Sequence, residues 1–215
     1  MVSNIVLTEQ LRAVRPSGHL WFYPTPEWAT AELLPRLPLE NGDVILEPCA
    51  QDNAIAKVIK DFSNNIQVFT NDIDDQQQAD FHFDMTLHQS WQSIVTMTGG
   101  FDWVIGNPPF FSDPLPGGKR GKPIVHIIVQ LAYQYARKGV VFLLKKSFTE
   151  PVSYRRSWLS THSREQFLEL RLQRIRFNND LKRDEVACDW YGWQHGHPGG
   201  FVPEYIYKGS NDCGY

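Results

Sequence analysis

The sequence predicts an α/β fold built on a mostly parallel sheet, and three observations carry that expectation. Short β-branched or aromatic runs recur along the 215 residues, a stretch long enough for a helix separates each from the next, and each run ends in a polar or turn-forming group. This is the pattern of βαβ units. Val44-Ile45-Leu46 is the first run, followed by 67–70, 101–105 and 139–144. Apolar residues at helical spacing predict helices over 26–34, 54–62, 124–136 and 153–160. Two late strands, 172–177 and 187–193, would close the sheet.

Composition bounds the function. With 42% hydrophobic and 21% charged residues the chain can bury a sizeable core, and one domain over 1–215 is the natural reading. A net charge of −3 gives no global attraction to nucleic acid, so a polyanion site would have to be a local basic patch. Cys49, Cys188 and Cys213 are too scattered for a zinc knuckle or a disulfide framework. No stretch approaches the ~20 apolar residues that span a bilayer, and the first residues lack the order of a signal peptide. A cytoplasmic protein without a membrane partner is expected.

Ligands of open α/β sheets sit beyond the carboxyl ends of the strands, so the residues after each run are the candidates for chemistry. They are Glu47-Pro48-Cys49-Ala50, Asn71-Asp72-Ile73-Asp74, Gly106-Asn107-Pro108-Pro109-Phe110 and Lys145-Lys146-Ser147-Phe148. An acid ending a strand can accept hydrogen bonds from both ribose hydroxyls, and Asp72 is placed for that, although an Asp there also suits a cap. Glu47 can orient a cofactor's ammonium or the loop that faces it. That loop carries Gln51 and Asn53 where close backbone approach usually calls for glycine. Asn tolerates the left-handed region better than Gln does.

Asn107-Pro108-Pro109-Phe110 is the most specific constellation. Proline restricts the residue before it, two prolines in series stiffen the turn, and neither offers an N–H, so the segment presents acceptors. The Asn107 side-chain oxygen and the Pro108 carbonyl can each take one hydrogen of an exocyclic amino group, leaving its lone pair to face a methyl donor. Phe110 can stack on the ring that bears the amine.

On these residues the chain resembles the Rossmann-like S-adenosylmethionine-dependent amino-methyltransferases, specifically the adenine-N6 DNA type, over about residues 21–196. The resemblance implies a mostly parallel sheet with an antiparallel last strand and helices on both faces. It also assigns roles. Phe22-Tyr23-Pro24-Thr25-Pro26 matches the Thr-Pro segment that touches the cofactor's methionine end, through Tyr23, Thr25 and Pro26. Glu47, Pro48, Cys49 and Ala50 form the first cofactor motif, Asp72 and Ile73 the second, and Asp84 lies in the region that meets the cofactor's adenine. Asn107, Pro108, Pro109 and Phe110 form the catalytic motif, with Asn107 also touching cofactor. The family reads acid-Pro-Cys-Ala-Gly-Asp-Gly where this chain reads Glu47-Pro48-Cys49-Ala50-Gln51-Asp52-Asn53.

The reading that follows is methyl transfer from S-adenosylmethionine to adenine in DNA, with an accessory recognition subunit as a further partner. RNA, a glutamine amide of a protein, and a non-catalytic scaffold remain open as alternatives. Lys119, Arg120 and Lys122 in the loop Gly117-Gly118-Lys119-Arg120-Gly121-Lys122, with Arg155 and Arg156, are candidate phosphate contacts. His195 and His197 lack further ligands at a recognisable spacing, so no metal is assigned. Trp190, Tyr191 and Trp193 are expected to pack rather than stack on bases.

Overall fold

A computed structural model describes residues 23–112, 121–150, 152–176 and 185–207. Seven strands, β1 (Val44–Glu47), β2 (Gln67–Thr70), β3 (Trp103–Gly106), β4 (Gly139–Lys145), β5 (Gln166–Leu172), β8 (Cys188–Gln194) and β9 (Glu204–Ile206), form one sheet. Their order across it is β2-β1-β3-β4-β8-β5-β9. A separate pair, β6 (Ile175–Arg176) and β7 (Glu185–Val186), lies between β5 and β8 in the chain. Strands β1 to β4 are parallel, and β8 runs against both of its neighbours, β4 and β5. The short edge strand β9 returns parallel to β5.

Helices α1 (Glu27–Leu33), α2 (Ala54–Phe62), α3 (His88–Thr98), α4 (Val125–Tyr135) and α5 (Ser153–His162) cover the sheet. Side chains alternate along the strands, so the inner strands β1, β3, β4 and β8 supply two cores. Ile45, Trp103, Ile105, Val141, Leu143 and Trp190 meet Ala29, Leu33, Ile55 and Ile59 of α1 and α2 on one face. Leu46, Val104, Val140, Phe142, Tyr191 and Trp193 meet Trp91 and Ile94 of α3 and Ile128, Val129 and Ala132 of α4 on the other. Gly-Val-Val-Phe-Leu-Leu of β4 is buried throughout, as a strand covered on both faces must be. Trp190 Nε1 donates to Ala29 O at 2.9 Å, which pins α1 to the sheet and satisfies the indole.

Two sequence expectations change. The strand expected over 172–177 lies mainly upstream, at Gln166–Leu172, where Leu168, Leu170 and Leu172 are buried between Glu169 and Arg171. These buried leucines recur with the period of two of a strand. Asp189 Oδ1 accepts from Leu172 N at 2.8 Å and takes up the amide at the strand's end; beyond it only Ile175–Arg176 is extended, and residue 177 is outside the described set. Helix α3 was not anticipated, because His88–Thr98 mixes Ile94, Val95, Thr96 and Thr98 with polar residues and its apolar periodicity is weak. The left-handed Gly99 that ends it, φ 78°, was the readable signal.

Candidate active site

Strand β1 delivers Glu47 to the carboxyl edge of the sheet. The side chain is only 2% exposed, and its Oε2 accepts from Ala56 N at 2.8 Å in the first turn of α2. Burial pushes the Glu47 carboxyl well above the usual carboxylate range; the Ala56 N–H opposes that rise, and Asp52 and Asp72 add to it. Glu47 thus props the helix that follows it while its charge has little compensation.

The loop after Glu47 keeps a glycine-like backbone without glycine. Gln51 has φ 48° and Asn53 has φ 62°, both left-handed, at a cost of about 1 kcal/mol or more for a residue such as Gln. Neighbouring strands hold the shape. Gln51 N donates to Asp72 Oδ2 at 2.9 Å, Ala50 N donates to Asn71 O at 2.9 Å, and Asn53 Nδ2 donates to Gln78 O. The Asn71 amide donates to Pro48 O and Phe83 O and accepts from Phe83 N. Asp72 accepts a second bond from Asp74 N at 2.9 Å, so this carboxylate is a brace beneath the loop.

Strand β3 carries the acceptor segment alongside. Gly106 is required there: a Cβ would stand 2.9 Å from Pro48 Cδ, so only glycine lets the two loops touch. Asn107 Nδ2 donates to Tyr23 O at 3.0 Å, which uses an amide hydrogen and leaves the oxygen's lone pairs for another donor. Pro108 is buried and Pro109 half-buried. Lys145 Nζ, at the end of β4, lies 4.6 Å from the Phe110 ring centre, a cation–π contact that caps the ring. Ile124 N donates to Phe110 O, and Ser112 N donates to Lys122 O at 2.8 Å, so the two ends of the basic loop are tied together.

Tyr23, Pro24 and Thr25 cross over this edge and complete a pocket with Glu47, Cys49, Ala50, Gln51, Asp52, Ala54 and Asn107. Tyr23 N donates to Gln51 Oε1 at 3.0 Å. The lining contains two carboxylates and no Lys, Arg or His. Asp52 Oδ1 is buried without a hydrogen-bond partner among the described residues. An unpartnered buried acceptor beside a second carboxylate suits a cationic ligand and repels phosphates.

Of the residues singled out from the sequence, Tyr23, Thr25, Glu47, Cys49, Ala50 and Asn107 converge on this pocket. Pro26 precedes α1 as its N-cap, and Pro48 packs on Gly106. Ile73 is half-buried outside the lining, and Asp84 Oδ1 accepts from Thr86 N and Oγ1 in a local turn. Arg155 is 7% exposed, donates to Ser147 O and Glu150 O and lies over Phe148, so these contacts tie its guanidinium to the chain itself. Arg156 is exposed, as is Lys122, while Lys119 and Arg120 lie outside the described residues. Trp190, Tyr191 and Trp193 are buried. His195 Nε2 faces Tyr133 O and Ala136 O, and among the described residues no three His, Cys, Asp or Glu side chains group as a metal site. The lining also takes in Gln51 and Asp52, to which the sequence reading assigns no role, while Lys145 comes from the segment after β4 already singled out.

No family model matches the chain, and no curated protein does. Solved structures do. The type I restriction-modification methyltransferase subunit of Streptococcus thermophilus superposes with a TM-score of 0.60 at 11% identity, over 94% of this chain and 50% of that one. The modification subunit assigned to a type I restriction enzyme of Vibrio vulnificus gives 0.62 at 10% identity, over 96% and 51%. A protein assigned as a class I S-adenosylmethionine-dependent methyltransferase of Listeria monocytogenes gives 0.60 at 12%, over 89% and 68%. The chain thus spans about half the length of the type I subunits it matches. Among the described residues no helix is long and apolar enough to cross a membrane. At these identities the likeness is one of architecture, and the chain has the mixed α/β fold of the S-adenosylmethionine-dependent methyltransferases.

Proposed function

We propose that this chain is a cytoplasmic S-adenosylmethionine-dependent methyltransferase acting on the exocyclic amine of adenine in DNA. One observation carries the reading: a pocket lined by Glu47 and Asp52, without a cationic side chain, adjoins Asn107-Pro108-Pro109-Phe110 at the carboxyl edge of the sheet. When bound, S-adenosylmethionine supplies a methyl group on a positively charged sulfur and a cationic amine, both suited to an acidic pocket. Glu47 and Asp52 would hold the ammonium, and Asp72 would act through the loop it braces. The fold shared with type I methyltransferase subunits supports the same reading, in which a partner would supply target recognition.

Asn107 Oδ1 and the Pro108 carbonyl would accept the two hydrogens of the target amine. Its nitrogen lone pair would then be left free to take the methyl group, with the amine's surplus proton passing to solvent, so rate acceleration would come from alignment rather than from a general base. Phe110 would offer its face to the base once Lys145 moves aside toward a phosphate. Lys122 and Arg156, both exposed, would serve as backbone contacts.

Calorimetry with S-adenosylmethionine and transfer of labelled methyl to DNA test the reading. Asn107→Ala should abolish transfer, a loss of several kcal/mol of alignment, and leave cofactor affinity nearly intact. An Asn107→Ala protein that methylates at the wild-type rate would overturn the mechanism. Label recovered in RNA or protein, with none in DNA, would overturn the substrate.

A further inference from the structure

We infer that Gln51, which stands where the resembling family carries glycine, is a positioning residue for Asn107 and acts through the peptide of Tyr23. The inference rests on the methyltransferase reading for its catalytic consequence and on geometry for the link itself. Tyr23 is held from both sides. Its N–H donates to Gln51 Oε1 at 3.0 Å, and its C=O accepts from Asn107 Nδ2 at 3.0 Å. One residue of the crossing segment thereby joins the loop after β1 to the loop after β3, across sequence separations of 28 and 84.

The bond from Asn107 fixes which edge of its amide faces the pocket. With Nδ2 committed to Tyr23 O, the Oδ1 edge is the one left to meet an incoming amine. If the Tyr23 peptide drifts, that amide can rotate and present its donors instead. Gln51 prevents the drift. Its backbone is fixed in turn by Gln51 N donating to Asp72 Oδ2 at 2.9 Å, so the chain of bonds runs from β2 through the cofactor loop to the acceptor segment. The left-handed backbone at Gln51 persists although the side chain makes it costly, and a glycine would adopt the same φ of 48° freely. The side chain also lines the pocket, so it occupies space that glycine would leave open.

These facts set affinity against turnover. Gln51→Gly relaxes the backbone and opens the pocket, so cofactor binding should hold or tighten and thermal stability should not fall. It also severs the bond to Tyr23, so kcat should drop on the order of tenfold to a hundredfold. Gln51→Met keeps the volume and removes the acceptor; it should lose kcat similarly with the cofactor Kd within about twofold of wild type. Gln51→Glu keeps an acceptor of the same reach and should recover most of the kcat. A merely structural role would lower stability and affinity together in the first two variants.

The experiment measures cofactor Kd, kcat and the side-chain amide resonances of Asn107 by nuclear magnetic resonance in all four full-length proteins. Lost kcat with retained affinity, together with shifted Asn107 resonances in Gln51→Met, is the expected result. Wild-type kcat in Gln51→Met overturns the positioning role. If the wild-type protein neither binds cofactor nor transfers methyl, the functional reading fails by itself. The resonances then decide the link: a shift in Gln51→Met upholds it, and unchanged resonances overturn it.

Discussion

At the scale of single residues, Glu47 presents the sharpest conflict between stability and binding. Its carboxyl is buried and its folded-state pKa lies well above the usual value of 4.5, so between those two values the folded protein binds more protons than the unfolded one. Stability is therefore greater below that window and is lost as pH rises through the folded pKa. Glu47→Gln keeps an acceptor for Ala56 N and removes the charge. Its Tm should exceed that of wild type at pH 8, and the gap should close as pH falls toward 4.5. The same change should weaken S-adenosylmethionine binding by about tenfold or more, the usual worth of a charged hydrogen bond. Thermal melts across pH and calorimetry check both; a variant less stable than wild type at pH 8 would refute the first claim.

Residue chemistry was only partly legible in the sequence. The apolar strand followed by Gly106-Asn107-Pro108-Pro109-Phe110 marked the acceptor segment, since proline restricts its own neighbourhood wherever it stands. Asp72 reads as a ribose ligand, and its two oxygens also hold the backbone of Gln51 and Asp74. Arg155 reads as a phosphate contact, and it is buried against Phe148. Both residues make contacts that the sequence alone does not show. A charged side chain near a strand end can serve a ligand or the chain's own backbone, and only tertiary contacts decide which.

At the scale of elements, the parallel strands and four of the helices were readable because runs such as 139–144 need burial on both faces, while Ala54–Phe62 shows apolar spacing on one. Helix α3 and strand β5 were less so, for Trp91 and Ile94 alone mark the buried stripe of the first. The junction of β4 with β8 is close at Gly139. Gly139 faces Gln194 across it, and a Cβ there would stand 2.4 Å from Trp193 O and 2.8 Å from the Trp103 ring. Backbone cannot yield as a flexible side chain can. Gly139→Ala should cost about 2–3 kcal/mol, or a fall of roughly 5–10 °C in Tm for a chain of this length, measured by calorimetry. A loss below about 1 °C would mean that the strands separate more easily than their packing suggests.

At the scale of the whole molecule, a net charge of −3 sits uneasily with a polyanionic substrate unless attraction is confined to the rim of the site. Lys122 and Arg156 are exposed and, on the proposed function, would supply that attraction. DNA affinity should fall steeply with salt, and Lys122→Ala and Arg156→Ala should each reduce the slope of log K against log salt by about 1. Cofactor affinity should not change. Fluorescence anisotropy over a salt series measures the slopes, and an unaltered slope in both variants would move the DNA to another face.

The reversed strand β8 has a consequence for how such a chain can diversify. Because β8 runs against β5, the end of one and the start of the other meet at the same rim as the acceptor segment, and the chain between them includes the pair β6–β7. Each parallel connection must instead travel the length of the sheet, so added residues there would disturb packed helices. Beyond Ile175, which belongs to the core, an insertion between β5 and β8 costs mainly its own closure, about 0.6 kcal/mol for each doubling of length. Length added at that junction therefore builds new surface beside the acceptor segment at little cost to the sheet.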